Sequence, residues 1–173
     1  MRILTIAPLC LAVAACGGGG EEKKKKEAAP AAAMAAGQWE TSFEVAAMRS
    51  TDKTEPALKA AVGDKETGAA CIEAGKEATP DTALFAGPGH KCSYKNTYIR
   101  NGRITASLGC TRKGIEGELV MSVDGKSTAT TFEGTVSTSS FLPGRGDFEM
   151  SRKVTGRQTG PTCQAAAPES KNA

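Results

Sequence analysis

The chain has 173 residues, a formal net charge of +3, 24% charged residues and 5% aromatic residues. This length favours one folded domain with appended segments. Because the basic residues are dispersed along the chain and form no stripe, we expect no nucleic-acid partner. The scarcity of aromatic side chains indicates a core built mainly from aliphatic residues and supported by disulfides.

Residues 1–15 have the pattern of an export signal. Arg2 precedes an apolar run over residues 3–15 that is too short to span a membrane as a mature helix. The run ends in Val13-Ala14-Ala15-Cys16, which resembles the lipobox of bacterial lipoproteins. The resemblance implies cleavage before Cys16 and acylation of this cysteine, and two or three acyl chains hold a protein stably on a membrane. The alternative is an ordinary secretory signal followed by an unrelated cysteine.

The residue after the lipobox cysteine indicates whether the protein stays on the inner membrane or moves to the outer one. In lipoproteins of Gram-negative bacteria an Asp at this position is the usual signal for retention in the inner membrane, and this chain has Gly17. The resemblance therefore implies a lipid-anchored protein of the bacterial cell envelope, on the outer membrane and facing the periplasm.

The composition divides the remaining chain into three parts. Residues 16–36 contain the lipid-anchor cysteine and a flexible tether rich in Gly, Lys, Glu and Ala, a composition that cannot bury a core. Residues 37–163 are predicted to form a β domain, because apolar and polar residues alternate through most of this range. Residues 164–173 are predicted to be a disordered tail.

The first third of the predicted domain mixes strand and helix patterns. Alternation from Gly37 onward predicts a strand. Thr54-Glu55-Pro56 is typical of a helix start and predicts a short helix through Val62. After a short apolar piece over residues 69–72, Thr79-Pro80-Asp81 predicts a second helical turn.

Residues 91–111 predict a β-hairpin with a three-residue turn at Arg100-Asn101-Gly102. The register that follows places Cys92 opposite Cys110 at a non-hydrogen-bonded site, where Cα atoms lie about 4.5 Å apart and a disulfide fits. The same register predicts three further pairs on one face, namely Tyr94 with Leu108, Asn96 with Ala106 and Tyr98 with Ile104.

The last third of the predicted domain continues as hairpins. Asp124-Gly125 is typical of a two-residue hairpin turn. The final strand carries four residues on one face: Phe148, Met150, Arg152 and Val154. The whole pattern predicts a mainly β fold, an antiparallel meander of about six strands curled into a sandwich or an open barrel. One or two short helices are expected after the first strand. With Cys92 and Cys110 paired, elimination leaves Cys71 to pair with Cys163.

Several short motifs occur in a characteristic order. They are Gly37-x-Trp39-Glu40, Cys71-Ile72, the hairpin from Cys92 to Cys110, Asp124-Gly125 and Gly160-Pro161-Thr162-Cys163. In this order the chain resembles the bacterial domain of unknown function family 3617 over roughly residues 37–163. The resemblance implies an envelope protein, and it supplies no catalytic residues that could be assigned to this chain.

One position breaks the apolar pattern of the final strand. Arg152 is in line with apolar residues, and Asn96 is in line with Tyr98 on the predicted inner face of the hairpin. Buried polar groups cost several kcal/mol unless they are paired, so we expect a ligand-binding site at Arg152, Asn96 and Tyr98. The predicted ligand is a small amphiphile whose carboxylate or phosphate meets Arg152 and whose apolar part lies on Tyr98, Met121 and Phe132. The alternative is a bulge that lets Arg152 reach water.

The remaining chemistry favours a non-enzymatic binding or interaction module, with a small amphiphile or an envelope protein as partner. His90 is the only histidine, and its Gly-Pro-Gly loop is typical of a solvated position. Neither a metal nor a cofactor is expected, because no second ligand has matching spacing. The alternative function is an envelope-associated hydrolase that uses carboxylates such as Glu133 or Glu149, although both are predicted on the solvent face of their strands.

Overall fold

The computed structural model describes residues 33–163. The predicted signal peptide, Cys16, most of the predicted tether and the predicted tail lie outside the described residues. The described part contains one short helix, α1, at Ala83–Ala86, and no helix in it is long and apolar enough to cross a membrane. Its seven strands are β1 Gly37–Ser50, β2 Lys65–Ile72, β3 His90–Arg100, β4 Arg103–Arg112, β5 Ile115–Ser127, β6 Thr131–Phe141 and β7 Phe148–Gly160.

The seven strands form one antiparallel sheet in the order β2-β1-β7-β6-β5-β4-β3. The sheet is curled into a half-barrel, and α1 contacts both edge strands, β2 and β3. Leu84 and Phe85 of α1 are fully buried, so the helix fills the inner side of the curl. The connection that carries α1 is attached to β3 by the Tyr94 hydroxyl, which donates to the Pro80 carbonyl at 2.9 Å.

The core lies on the concave face of the sheet. Alternate residues of each strand point inward, as the period-two pattern predicted. The largest fully buried side chains include Trp39, Phe43, Phe85 and Phe148. The prediction of a mainly β, curled antiparallel sheet with very little helix is confirmed.

Two element predictions differ from the structure. The structure has one strand more than the six predicted. This additional strand is β2, of which the sequence indicated only the apolar end at residues 69–72. The predicted helix from Thr54 to Val62 is wrong, because this segment is irregular. The Asp52 carboxylate accepts hydrogen bonds from the backbone of Thr54 and, on the β6–β7 connection, from Gly146 at 2.7 Å. Such side-chain bonds to backbone offer the chain an alternative to helical pairing.

The hairpin of β3 and β4 has a shorter turn than predicted. Asn101 and Gly102 both have positive φ, 54° and 70°, which is the signature of a two-residue turn. Arg100 therefore pairs with Arg103, and a bulge at Lys95 restores the predicted register at Tyr94 and beyond. Because a one-residue shift moves side chains to the opposite face, residues 96–99 are inverted relative to the prediction.

This inversion corrects the predicted positions of Asn96 and Tyr98. Asn96 is exposed and pairs with Ser107, and Tyr98 is 42% exposed and pairs with Thr105. Ile99 takes the inner position instead, at 7% exposure. The prediction that Asn96 and Tyr98 lie on the inner face is therefore wrong.

The predicted turn at Asp124-Gly125 is also wrong, because β5 continues through Ser127. The turn lies at residues 128–130, where the Thr128 hydroxyl accepts hydrogen bonds from the backbone of Thr130 and Thr131. Gly125 instead pairs with Gly134 across β5 and β6. The turn forms at the threonine-rich segment rather than at Asp124-Gly125, because the Thr128 side chain hydrogen-bonds to the backbone of this turn.

The four cysteines of residues 33–163 are brought together in the two predicted pairs. Cys92 and Cys110 lie directly opposite each other in β3 and β4, with Cα atoms 4.1 Å apart. Cys71 in β2 and Cys163 after β7 have Cα atoms 5.4 Å apart. Packing begins before the predicted domain start at residue 37, because Met34 is fully buried and Ala35 donates a backbone hydrogen bond to Ala129.

Candidate functional site

Arg152 is the one charged residue among the buried residues of the described chain. It lies in the middle of β7 on the concave face, opposite Val45 of β1, and only 3% of the residue is exposed. The β1–β7 pairing contains a bulge between Val45 and Ala47, directly beside it. The bulge does not let the side chain reach water, since the side chain is 4% exposed.

The contacts of the Arg152 guanidinium leave part of its donor capacity unused. Its Nη2 donates to the Ala86 carbonyl at 2.8 Å, at the end of α1. Its Nη1 lies 3.8 Å from Oε2 of Glu66, which is too far for a hydrogen bond. Among the described residues, Nε has no hydrogen-bond partner. The guanidinium also lies over the ring of Phe43, 4.9 Å from its centroid.

Burial changes the acidity of this group. Burial is the main cause that lowers the pKa of Arg152 to about 10. The negative charge of Glu66 raises this pKa, and the positive charge of Arg112 lowers it further. Arg152 therefore stays protonated at neutral pH, and a buried cation with an unsatisfied donor is an unfavourable arrangement unless an acceptor binds there.

A cleft of about 330 Å³ opens beside Arg152. It lies between the inner faces of β1 and β7 on one side and the irregular segment 51–64 on the other. Its apolar lining comes from Phe43, Val45, Leu58 and Met150. Its charged lining comes from Lys59, Asp64, Lys65, Glu66, Arg112 and Arg152. The cleft thus combines an apolar wall with a buried cation, as sites for amphiphilic molecules do.

Only one of the three predicted ligand-binding residues lies at this cleft. Arg152 lines it, whereas Asn96 and Tyr98 are on the opposite surface of the sheet. Met121 is fully buried, with its sulfur 4.0 Å from Nη2 of Arg152, and Phe132 packs in the core against Phe85. Met121 and Phe132 are therefore core residues rather than a binding surface.

Sequence reasoning missed the residues that complete the cleft. Glu66 and Leu58 come from segments that gave no strand signal, and Arg112 ends β4. These residues are between 40 and 94 positions from Arg152 in the chain, so only the curl of the sheet brings them together. No sequence signal indicated Glu66, because its position opposite Phe43 follows only from the β1–β2 register of the structure.

His90 lies next to this group rather than in open solvent. Nη1 of Arg112 lies 3.1 Å from its Nε2 and 3.4 Å from its Nδ1. Burial, followed by the charges of Arg112 and Arg152, lowers the pKa of His90 to about 4. His90 is thus a neutral ring beside Arg112 at neutral pH, and the predicted solvated position is corrected to a half-buried one.

We expect His90 to make the fold acid-sensitive. Its pKa is about 6.5 when unfolded and about 4 when folded, so the folded state favours the neutral ring. This contribution is complete above pH 6.5 and is lost as the pH falls towards 4. For a partly solvated ring we expect a loss of about 2 kcal/mol. Urea unfolding at pH 7 and pH 4.5 should show a correspondingly smaller loss in His90→Gln, and an equal loss in both proteins would contradict the assignment.

The two carboxylates considered for hydrolysis do not form a pair. Glu133 is exposed and lies opposite Thr155, whereas Glu149 forms an ion pair with Arg49. Thr155 and Glu149 are six positions apart along β7, which corresponds to about 20 Å. This distance is beyond that of the paired carboxylates of glycoside hydrolysis, about 5 to 9.5 Å.

Comparison with known proteins gives one match. Neither a search of curated proteins nor one of solved structures found a match. The family model described as "Protein of unknown function (DUF3617)" matches residues 34–163, and its first residue is the buried Met34 at which packing begins. Because this match covers most of the 173 residues, the chain belongs to the DUF3617 family.

Proposed function

We propose that this protein is a non-enzymatic binding module of the bacterial cell envelope and that its cleft binds an anionic amphiphile at Arg152. The observation that carries the proposal is a buried guanidinium, with an unpartnered Nε, beside a cleft with one apolar wall. Burying a charge costs several kcal/mol, and an acidic ligand would supply a hydrogen-bonded acceptor where Glu66 lies 3.8 Å away.

The membrane attachment in this proposal rests on the lipobox that ends in Cys16. The structure separates the cleft from the end of the described chain that leads towards the anchor. The described chain begins near the first residues of β1, whereas Val45 at the cleft is eight residues further along the strand from Gly37. This corresponds to about 25 Å. A cleft so placed would bind a molecule from the periplasm, on the outer membrane that we propose as the location.

We expect an anionic amphiphile to stabilise the wild type and not Arg152→Met. Ligand at about one hundred times its Kd stabilises a protein by about 2.7 kcal/mol, which raises Tm by about 10 °C for a domain of this size. Met keeps most of the apolar volume and removes the charge. The measurement is a thermal-shift screen with decanoate, decyl phosphate and decyltrimethylammonium.

The matched control for Arg152→Met is Arg157→Met. Arg157 is on the same strand but on the outer face, where it pairs with Glu40 and is 70% exposed. This variant should keep the full anion-induced shift, and the cationic decyltrimethylammonium should shift none of the proteins. Equal shifts of Arg152→Met and the wild type would reject Arg152 as the binding residue.

We expect Cys16→Ala to abolish acylation of the protein. Without the sulfur there is no site for the diacylglycerol, so the protein should stay unprocessed and lose acyl label. The measurement is detergent phase partitioning of envelope fractions together with intact mass. A Cys10→Ala variant is the control and should be processed normally, because Cys10 lies within the predicted signal. A Cys16→Ala protein with mature mass and acyl label would contradict the proposal.

A further inference from the structure

We infer that the ligand is a single-chain monocarboxylate of about eight to ten carbons, whose carboxylate binds between Arg152 and Arg112 in place of the contact with Glu66. This inference rests on the proposed function and specifies its ligand. Three observations carry it: the geometry around the guanidinium, the charges at the inner end of the cleft, and the cleft volume.

The geometry leaves a position for one acceptor. Nη1 of Arg152 faces Oε2 of Glu66 at 3.8 Å, and a charged hydrogen bond would need about 2.7–2.9 Å. Glu66 is 40% exposed and reaches the guanidinium from the edge strand β2. It therefore acts as a distant counterion, and a ligand carboxylate at bonding distance would replace it.

The charges at the inner end favour a single negative charge. At the mouth, Lys59 pairs with Glu55, and Nζ of Lys65 lies 3.5 Å from Oε2 of Glu44. Asp64, also at the mouth, is exposed and accepts a hydrogen bond from the Ala61 backbone. Because water screens exposed charges, the groups that matter most are those further inside.

The inner groups are Arg112, Arg152 and Glu66. Both arginines line the cleft, and the charge of Arg112 is close enough to disfavour the charge of Arg152. Two cations against one carboxylate leave one positive charge uncompensated, and a monocarboxylate matches it. His90, beside Arg112, is neutral at neutral pH and does not change this count.

The volume limits the length of the ligand. At roughly 30 Å³ for each water-sized group, a cleft of 330 Å³ holds about eleven heavy atoms. Octanoate and decanoate have ten and twelve heavy atoms, whereas a two-chain phospholipid has roughly fifty and would leave most of its atoms outside the cleft. The chain would lie along Phe43, Val45, Leu58 and Met150, which form the apolar wall.

The first test is titration calorimetry of the full domain with butanoate, octanoate, decanoate and tetradecanoate. Each buried methylene contributes to affinity, so butanoate should bind at least tenfold more weakly than octanoate. The affinity should stop rising at about ten carbons, because further methylenes remain in water. An affinity that rises by the same factor per methylene up to tetradecanoate would overturn the size limit.

The second test uses Glu66→Gln, which removes the competing carboxylate and keeps the side-chain shape. Decanoate should bind up to about fivefold more tightly, as expected for loss of a partly exposed counterion. Glu44→Gln is the matched control, since Glu44 also pairs with a cation at the β1–β2 edge but does not touch Arg152, and its affinity should be unchanged. Weaker decanoate binding by Glu66→Gln would overturn the role of Glu66.

The experiments can reject the monocarboxylate ligand without rejecting the proposed binding of an anionic amphiphile. If decyl phosphate binds more than tenfold more tightly than decanoate, the monocarboxylate is wrong and the anionic-amphiphile function stands. If neither compound binds to the wild type, both proposals are wrong. Binding of decanoate that is lost in Arg152→Met and stops strengthening at ten carbons supports both.

Discussion

Loss of the Cys71–Cys163 disulfide is expected to lower the free energy of unfolding by about 4.6 kcal/mol on the chain-entropy model. The bond closes a loop with a sequence separation of 92 residues, so it removes much freedom from the unfolded chain. In the folded protein, β2 and β7 flank β1 on its two sides, and the bond connects their ends beside Gly37 and Gln38. The variant should therefore also fray at the first residues of β1.

The measurement is urea unfolding of the Cys71→Ala/Cys163→Ala protein against the wild type. The matched control is Cys92→Ala/Cys110→Ala, whose loop has a sequence separation of only 18 residues. Its expected cost is about 3 kcal/mol on the same model. An unchanged stability of the first variant would mean that Cys71 and Cys163 are not bonded in the folded protein. A larger cost for the short loop would reject the entropic explanation.

The disulfide hairpin shows how far local sequence rules reach. The pairing of Cys92 with Cys110 was predicted from a three-residue turn, and the structure reaches the same pairing through a two-residue turn and a bulge at Lys95. Each difference shifts the register by one residue, and the two cancel at Tyr94. Between them, Asn96 and Tyr98 face solvent. The bulge lets Ile99 be buried, and this depends on packing that the hairpin sequence alone does not contain.

Arg152 shows how much of the candidate site can be predicted from the sequence. The period-two pattern of β7 correctly predicted an inward arginine, because the alternation of β7 is uninterrupted around Arg152 and its same-face neighbours, Met150 and Val154, are apolar. Its partners were not predictable in the same way. Ala86 belongs to a four-residue helix and Glu66 to a strand with an exposed first half, so neither carries a strong pattern. Contacts between such segments follow from the curl of the sheet.

The segment 51–64 shows a different limit. The helix was predicted from the local pattern Thr54-Glu55-Pro56, whereas the conformation of the segment depends on the long-range contacts of Asp52. This carboxylate accepts hydrogen bonds from the Gly146 and Asp147 backbone, more than ninety residues away. Hydrogen bonds from the Thr54 side chain and backbone, followed by those from Gly146, lower the pKa of Asp52. A hydrogen bond from a side chain to distant backbone produces no periodic pattern in the sequence, so it could not be predicted. The bonds of Asp52 hold in place the segment that carries Leu58 and forms one wall of the cleft.

Gly156→Ala is expected to destabilise the fold by about 3 kcal/mol, at the upper end of the usual cost of overpacking a core. Gly156 lies on the inner face of β7 directly opposite Phe132. A Cβ atom there would lie 2.0 Å from Cε1 of Phe132. The ring cannot move away freely, because it packs against Trp39 and Phe85 with centroids 5.9 Å and 5.6 Å apart. Replacing glycine within a strand would otherwise be favourable, so the clash determines the sign.

Thermal and urea unfolding of three variants would establish this cause. Gly144→Ala is the control, since a Cβ atom at Gly144 would meet no heavy atom within 4 Å, and its stability should change by less than about 0.5 kcal/mol. Phe132→Leu alone should be destabilising because it leaves a cavity. Combined with Gly156→Ala it should cost less than the sum of the two single changes, because the smaller side chain makes room for the new methyl group. Strict additivity would show that Gly156 is required for a reason other than the ring of Phe132.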